Sequence, residues 1–245
     1  MDEAAALSAC SPTLAFMPPI PAPPHRGHEY VGTFVAFEGG DGAGKSTQIR
    51  LLANVLTTAG RDVVVSREPG GTQVGASIRA VVLHGEHIDA RAEALLFAAD
   101  RAHHVATVIR PALERGAIVL SDRFMDSSIA YQGVARALDR DQIRDLSLWA
   151  SRGLLPDLTV LLDVDPAQGR TRRGAMHDRL ESEGDTFHAA VRQGFLDLAE
   201  QAPERYLVLD ASRDQHELHA KVASAVTVLT GVTTMLPDTA RGMSP

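Results

Sequence analysis

Five short runs in this 245-residue chain are apolar at consecutive positions: Phe34 to Phe37, Val63 to Val65, Ala117 to Leu120, Leu158 to Leu162 and Tyr206 to Leu209. A strand with one wet face alternates apolar and polar residues, whereas a strand covered on both faces does not. Between the runs lie segments with helical spacing, roughly 45–59, 72–83, 89–115, 139–152 and 186–200, with another after Asp214. Strand and helix alternating in this way predict an α/β fold, a five-stranded parallel sheet with helices on both faces.

The ends do not share this pattern. Six of the thirteen prolines fall within the first 30 residues, which excludes helix or central strand there. Residues 1–30 are expected to be a Pro-rich flexible tail, 31–230 one domain, and 231–245 a second flexible tail. Inside the domain, Arg170 to Asp185 is densely charged and offers no core face, so a mobile lid is expected at about 170–185.

Charge and cysteine content narrow the class. Lys and Arg number 24 against 31 Asp and Glu, a net charge of −7, which argues against coating nucleic acid or an anionic membrane. Cys10 is the only cysteine, so no internal disulfide can form; no window is long and apolar enough to span a membrane, and the start is acidic where a secretory signal is basic. A cytoplasmic protein acting on small molecules is expected. None of the ten histidines has convincing zinc-site spacing.

Directly after the first run stands Gly39-Gly40-Asp41-Gly42-Ala43-Gly44-Lys45-Ser46, which fits G-x-x-x-x-G-K-[ST] and opens a helix at Thr47. The glycines let successive backbone N–H groups turn toward phosphate oxygens, and the helix N-terminus adds partial positive charge. Lys45 is expected to bridge the β and γ phosphates of a triphosphate, and the Ser46 hydroxyl to bind Mg²⁺. Two further motifs follow later runs: Arg67-Glu68-Pro69-Gly70-Gly71-Thr72, and Asp122-Arg123-Phe124 with Ser127-Ser128-Ile129-Ala130-Tyr131-Gln132-Gly133. Both lie just past the carboxyl ends of parallel strands, where open α/β sheets bind ligands.

With these pieces, with LLFAADR at 95–101 and LPDLTVLLDVDP at 155–166, and with an arginine-rich segment ending Asp178-Arg179-Leu180-Glu181, the chain resembles the thymidylate kinases. The resemblance runs from about residue 33 to 210. It implies a P-loop nucleoside monophosphate kinase fold, transfer of the ATP γ-phosphoryl to dTMP, and a homodimer formed by helices on one side of the sheet. Arg123 is placed to grip the acceptor phosphate with its planar fork, with Asp122 beside it. Asp41 is assigned to orienting Arg123 or to Mg²⁺, and Glu181 to a carboxylate near metal or phosphate. One branch of the family carries an arginine where this chain has Gly42, so the catalytic cation is expected from the lid, among Arg170, Arg172, Arg173 and Arg179.

For the base, the resemblance implies that Phe97 stacks on thymine and Arg101 donates to a carbonyl, with Ser127 or Ser128 at the remaining polar edge. Tyr131 is expected beneath the sugar, and Glu68, Pro69 and Gln132 along the same crevice. Helical geometry sets Phe97 and Arg101 opposite an expected core stripe of Leu95, Ala99, Ala106 and Ile109. Asp163 either supports the Mg²⁺ shell or satisfies nearby backbone. The alternatives are a kinase for another monophosphate, or a non-catalytic P-loop regulator. The guanine-reading string of GTP switches is missing.

Overall fold

The strands that form are β1 (Thr33–Glu38), β2 (Val63–Arg67), β3 (Ile118–Asp122), β4 (Leu158–Asp163) and β5 (Tyr206–Asp210), in a computed structural model that describes residues 28–172 and 178–231. Each apolar run becomes one of them. They pair in the order β2-β3-β1-β4-β5, every pairing parallel. Phe37 faces both Asp122 and Val160, and Asp122 faces Arg67, so the strands end together and their loops open on one edge. The three inner strands are buried except at their terminal Asp122 and Asp163, which are half-buried, but β2 and β5 lie at the edges and expose Val65 and Val208. Burial on both faces was therefore an overstatement for those two runs.

Helices cover both faces. On one, α1 (Lys45–Thr58) and α9 (Gln215–Thr230) pack Leu52, Leu56, Val222 and Val226 against Val35 and Phe37. Beneath the other, α2 (Gln73–His84) neighbours α3 (Ala90–His104), which continues through a π-helical stretch, Val105–Ile109, into α4 (Arg110–Glu114). Val105, Ile109 and Leu113 pack there against Phe34 and Ala36. The single helix expected over 89–115 thus has its register shifted before Pro111 by a π turn, which changes the face it presents.

Between β3 and α6 (Arg140–Ser151) the chain is helical as well: α5 (Met125–Ser128) runs into a π-helical segment, Ile129–Ala135, that carries Tyr131 and Gln132. α7 (Pro166–Arg172) follows β4, and α8 (Asp185–Gln201) packs against the Ile129–Ala135 segment. The expected lid is less detached than its charge suggested. Its first residues end α7, and Leu180 is buried in a cluster with Val82, Leu83, Tyr131 and Phe195. Two residues on the tail side of the expected boundary also pack: the His28 ring sits 3.1 Å from the Asp157 carboxylate, and Tyr30 lies against the α3–α4 core. No helix among the described residues is long and apolar enough to cross a membrane.

Candidate active site

A crevice of about 670 Å³ opens over the carboxyl ends of the strands and gathers residues from all three sequence motifs. At one end the chain leaves β1 at Glu38, turns through Gly39–Gly44 and enters α1 at Lys45. No side chain caps this helix and its first turn holds no acid, so its N–H groups are left to an anion. Gly42 has φ +76, and a Cβ there would sit 2.1 Å from the carbonyl oxygen of Gly169 in α7. The phosphate loop and the root of the lid therefore meet backbone to backbone, leaving no room for an arginine at position 42. Lys45 donates to the carbonyls of Gly39 and Gly40 at 3.0 and 2.9 Å. Burial, then the Arg123 charge, lowers its pKa. Ser46 Oγ donates to the Asp122 carboxylate at 2.9 Å.

Arg123 stands at the centre. It follows β3 with φ 71, a left-handed conformation rare for a side-chain-bearing residue, and is held there by its N–H to Phe37 O (2.9 Å) and by Ser121 Oγ donating to its carbonyl (2.7 Å). The guanidinium reaches Asp41 at 2.5 Å, Gly39 O at 3.2 Å, Ser127 Oγ at 3.1 Å and the Tyr131 hydroxyl at 3.3 Å, and lies over the Tyr131 ring. Burial opposes its charge, but Tyr131 and the carboxylates of Asp41 and Asp122 outweigh burial and raise its pKa. Tyr131 also donates to Asp41 at 3.3 Å, completing a triangle; burial keeps the phenol protonated.

The wall behind this triangle rests on Glu38, which sequence reasoning passed over. Its carboxylate accepts from the N–H groups of Phe124 and Ser127 and from Ser127 Oγ, at 2.8, 3.2 and 2.6 Å. Burial, reinforced by Asp126, pushes its pKa up to about 7. An acid closing a buried strand immediately before a phosphate loop was the available signal.

The far end is built from paired charges. Arg101 is 1% exposed; it donates to Glu68 (2.9 Å), Ser147 Oγ (3.0 Å), Ser128 Oγ (3.1 Å) and Phe124 O (3.2 Å). Those bonds occupy four donor positions of a five-donor group whose edge lines the crevice beside Phe97, Ser128 and Gln132. Glu68 is also bonded to His104 at 2.9 Å. The expected core stripe of α3 is corrected here: Leu95, Ala99 and Ala106 face outward, Leu95 being 58% exposed, while Glu93, Asp100, Arg101 and His104 are buried. Phe124 is core, edge-on to Phe34.

The other expectations separate. Pro69, Thr47, Ala43, Gly44 and Glu181 line the crevice. So does Arg172, donating to Ala211 O at 2.8 Å. Arg170 instead pairs with Asp185, and Arg179 turns toward α2 and Glu93, neither lining the crevice. Arg173 lies outside the described residues. Asp163 takes a bidentate bond from Arg192 at 2.6 and 2.8 Å, which commits it to an ion pair. Arg67, Arg79 and Arg213 line the crevice without having been singled out; each stands in or next to a segment read for its neighbours.

For Mg²⁺ the fit is sound. Ser46 Oγ and the Asp122 carboxylate are adjacent at the mouth of the phosphate loop, a hydroxyl and a carboxylate of the kind that hold the ion in P-loop enzymes while phosphates and waters fill the remaining positions.

A sequence profile described as Thymidylate kinase matches residues 37–222. The chain belongs to the thymidylate kinase family. It is 58% identical over 202 residues to the thymidylate kinase of Clavibacter michiganensis subsp. michiganensis, covering 81% of this chain and 96% of that one. It is 53% identical over 200 residues to that of Bifidobacterium longum (80% and 97%), and 51% over 198 residues to that of Deinococcus radiodurans (80% and 96%). The matched region contains all the residues that line the crevice, from Asp41 to Leu218.

Proposed function

We propose that the chain transfers the γ-phosphoryl group of ATP to dTMP, giving dTDP and ADP. The observation that carries this is the position of Arg123, its guanidinium held between Asp41 of the phosphate loop and Tyr131 of the opposite wall. Donor loop and acceptor cation share one crevice, as in-line transfer between two anions requires.

The donor phosphates lie along the N–H groups of the loop and the start of α1, with the Lys45 ammonium as their cation. Arg172 supplies positive charge from the root of the lid, being the lid arginine that lines the crevice among the described residues. Arg123 binds the acceptor phosphate, and Asp41 fixes the fork's direction by ion pairing. Mg²⁺, held by Ser46 and Asp122, would neutralise phosphate charge and withdraw electron density from the transferred group. At the far end Phe97 stacks on the base, and Arg101 and Ser128 meet its polar edge. The Tyr131 ring walls the sugar where a 2′-hydroxyl would project. An ADP-release assay with the monophosphates of thymidine, uridine, cytidine, adenosine and guanosine tests the reading. Turnover is expected with dTMP far above the others; equal turnover, or none, contradicts it.

We also infer a homodimer and a cytoplasmic setting. α3 packs between α2 and α6, and these three helices expose Val74, Val81, Leu95 and Trp149, the last 78% exposed. The lone Cys10 suits a reducing compartment. Light scattering is expected to give twice the chain mass, and Leu95→Glu to shift it toward the monomer; a monomeric parent contradicts the dimer.

A further inference from the structure

We propose that Glu93 is a positioning residue that latches the lid against the acceptor pocket, a role that rests on the kinase reading above. Glu93 lies on α3 with its side chain 1% exposed, outside the crevice lining. An ionised carboxylate in such a place is costly unless it is paired on several sides. Here the partners come from two elements that the reaction must bring together. From the lid, the Arg179 guanidinium pairs with Glu93. From the π-helical segment of the acceptor wall, Gln132 Nε2 donates to it at 2.8 Å, and Nε of Arg136, the residue that follows the segment, stands 3.6 Å away.

Arg179 is tied down further. Its Nε and Nη2 donate to the Val82 carbonyl in the last turn of α2 at 3.0 and 2.8 Å, and its backbone N–H donates to Leu83 O at 2.9 Å. A second tie joins Arg136 to Glu183 at 2.7 Å. With Arg179 facing Glu93, its neighbours Asp178, Leu180 and Glu181 face the crevice, and Leu180 packs in the cluster that includes Tyr131. One buried charge thus sets the face of the lid that completes the pocket, and through Gln132 it holds the segment that carries Tyr131. This separates Arg179 from the cations that touch phosphate: it acts on the reaction through the lid's position.

The test uses the full chain with Glu93→Gln, Arg179→Met and the double substitution, measuring kcat, both KM values, and hydrogen exchange of the amides of 178–184. Each single change is expected to lower kcat about tenfold or more, with the ATP KM within about threefold of the parent, since closure and not donor binding is lost. The Arg179 amide, bonded to Leu83 O, should exchange faster in both. The double variant should lose clearly less than the product of the two single losses, because both remove the shared Glu93–Arg179 pair. Arg179→Lys, which keeps charge and loses the fork, should recover part of kcat. Glu93→Gln with parental kcat and parental lid exchange would overturn the latch, as would losses that multiply in the double variant. Should Glu93→Gln fail to fold, Arg179→Met decides alone by the same two readouts. A parent without dTMP kinase activity would refute the kinase reading, while the exchange data would still report on the latch.

Discussion

Helices α1 and α3 flank the same crevice and differ in what their bodies bury. α1 turns Ile49, Leu52 and Leu56 to the sheet and lines the crevice with its first four residues, Lys45 to Gln48. α3 buries Glu93, Asp100, Arg101 and His104 and shows Leu95 to solvent. A helix whose chemistry sits at one end is free to be amphipathic along its body. A helix whose flank is the pocket wall has to bury polar groups, and these are tolerated because each is answered: Glu68 takes Arg101 and His104, and Glu93 takes Gln132 and Arg179. Asp100 shows the strain of this arrangement. Burial and the nearby Glu68 push its pKa to about 6, despite the bond from Gly70 N–H.

The largest effect should arise on the α1 side. Lys45→Ala is expected to lower kcat by about 10³-fold, while the KM for dTMP stays within about threefold, because the ammonium serves the donor. Its bonds are to two loop carbonyls, so melting should change little. Activity within a few fold of the parent would remove the donor assignment.

Next come Leu52→Ala and Arg101→Met, each expected to cost about 3 kcal/mol by denaturant unfolding, the first through a cavity and the second by stranding Glu68. They should part in kinetics. Below its melting range the Leu52 variant should keep its parental KM for dTMP, whereas the Arg101 variant should not; identical kinetic behaviour would erase the distinction between the two helices.

The sugar wall gives a smaller, more selective effect. The parent should prefer dTMP over its ribo analogue by about tenfold to a hundredfold in kcat/KM, the cost of a 2′-hydroxyl without a partner. Tyr131→Ala should narrow that ratio by removing the ring. Tyr131→Phe should preserve it, losing only the hydroxyl contacts with Arg123 and Asp41. A ratio that Tyr131→Ala leaves unchanged would move the sugar elsewhere.

The smallest effect concerns pH. Glu38 keeps its proton to about pH 7 in the fold but only to about 4.5 when unfolded, so between those values the folded state binds more protons and stability falls as pH rises. The slope from this group is at most about 1.4 kcal/mol per pH unit. Glu38→Gln should flatten the parent's decline in unfolding free energy between pH 5 and 7; an unaltered slope would mean that Glu38 is ionised throughout.

What the sequence made legible follows the same division. The five apolar runs located the strands, and the glycine-rich loop was placed between β1 and α1 because its signal lies in contiguous residues. The REPGGT and DRF segments were placed at the crevice because strand ends converge in a parallel sheet. α3 misled because Leu95, Ala99 and Ala106 of the expected stripe face outward and only Ile109 is core, while the inward face mixes Ala94 and Ala98 with charges that periodicity does not read as buried. Glu38 and Glu93 were missed for a related reason: their partners lie 86 and 39 residues away in sequence, so even the place of Glu38 at a strand end before the phosphate loop does not reveal the network it anchors. The lid's arginines looked interchangeable as a charge run. Only the fold separates Arg172, at the crevice, from Arg179, docked on α2.

The central claim is that the buried charges of α3 exist for the acceptor and not for the donor. Calorimetric titration of the Arg101→Met protein with dTMP and, separately, with a non-hydrolysable ATP analogue, at a temperature where the variant is folded, tests it most directly. In that variant dTMP affinity is expected to fall about 30-fold or more, ~2 kcal/mol, while the analogue binds as it does to the parent. Parental dTMP affinity, or an equal loss for both ligands, would contradict it.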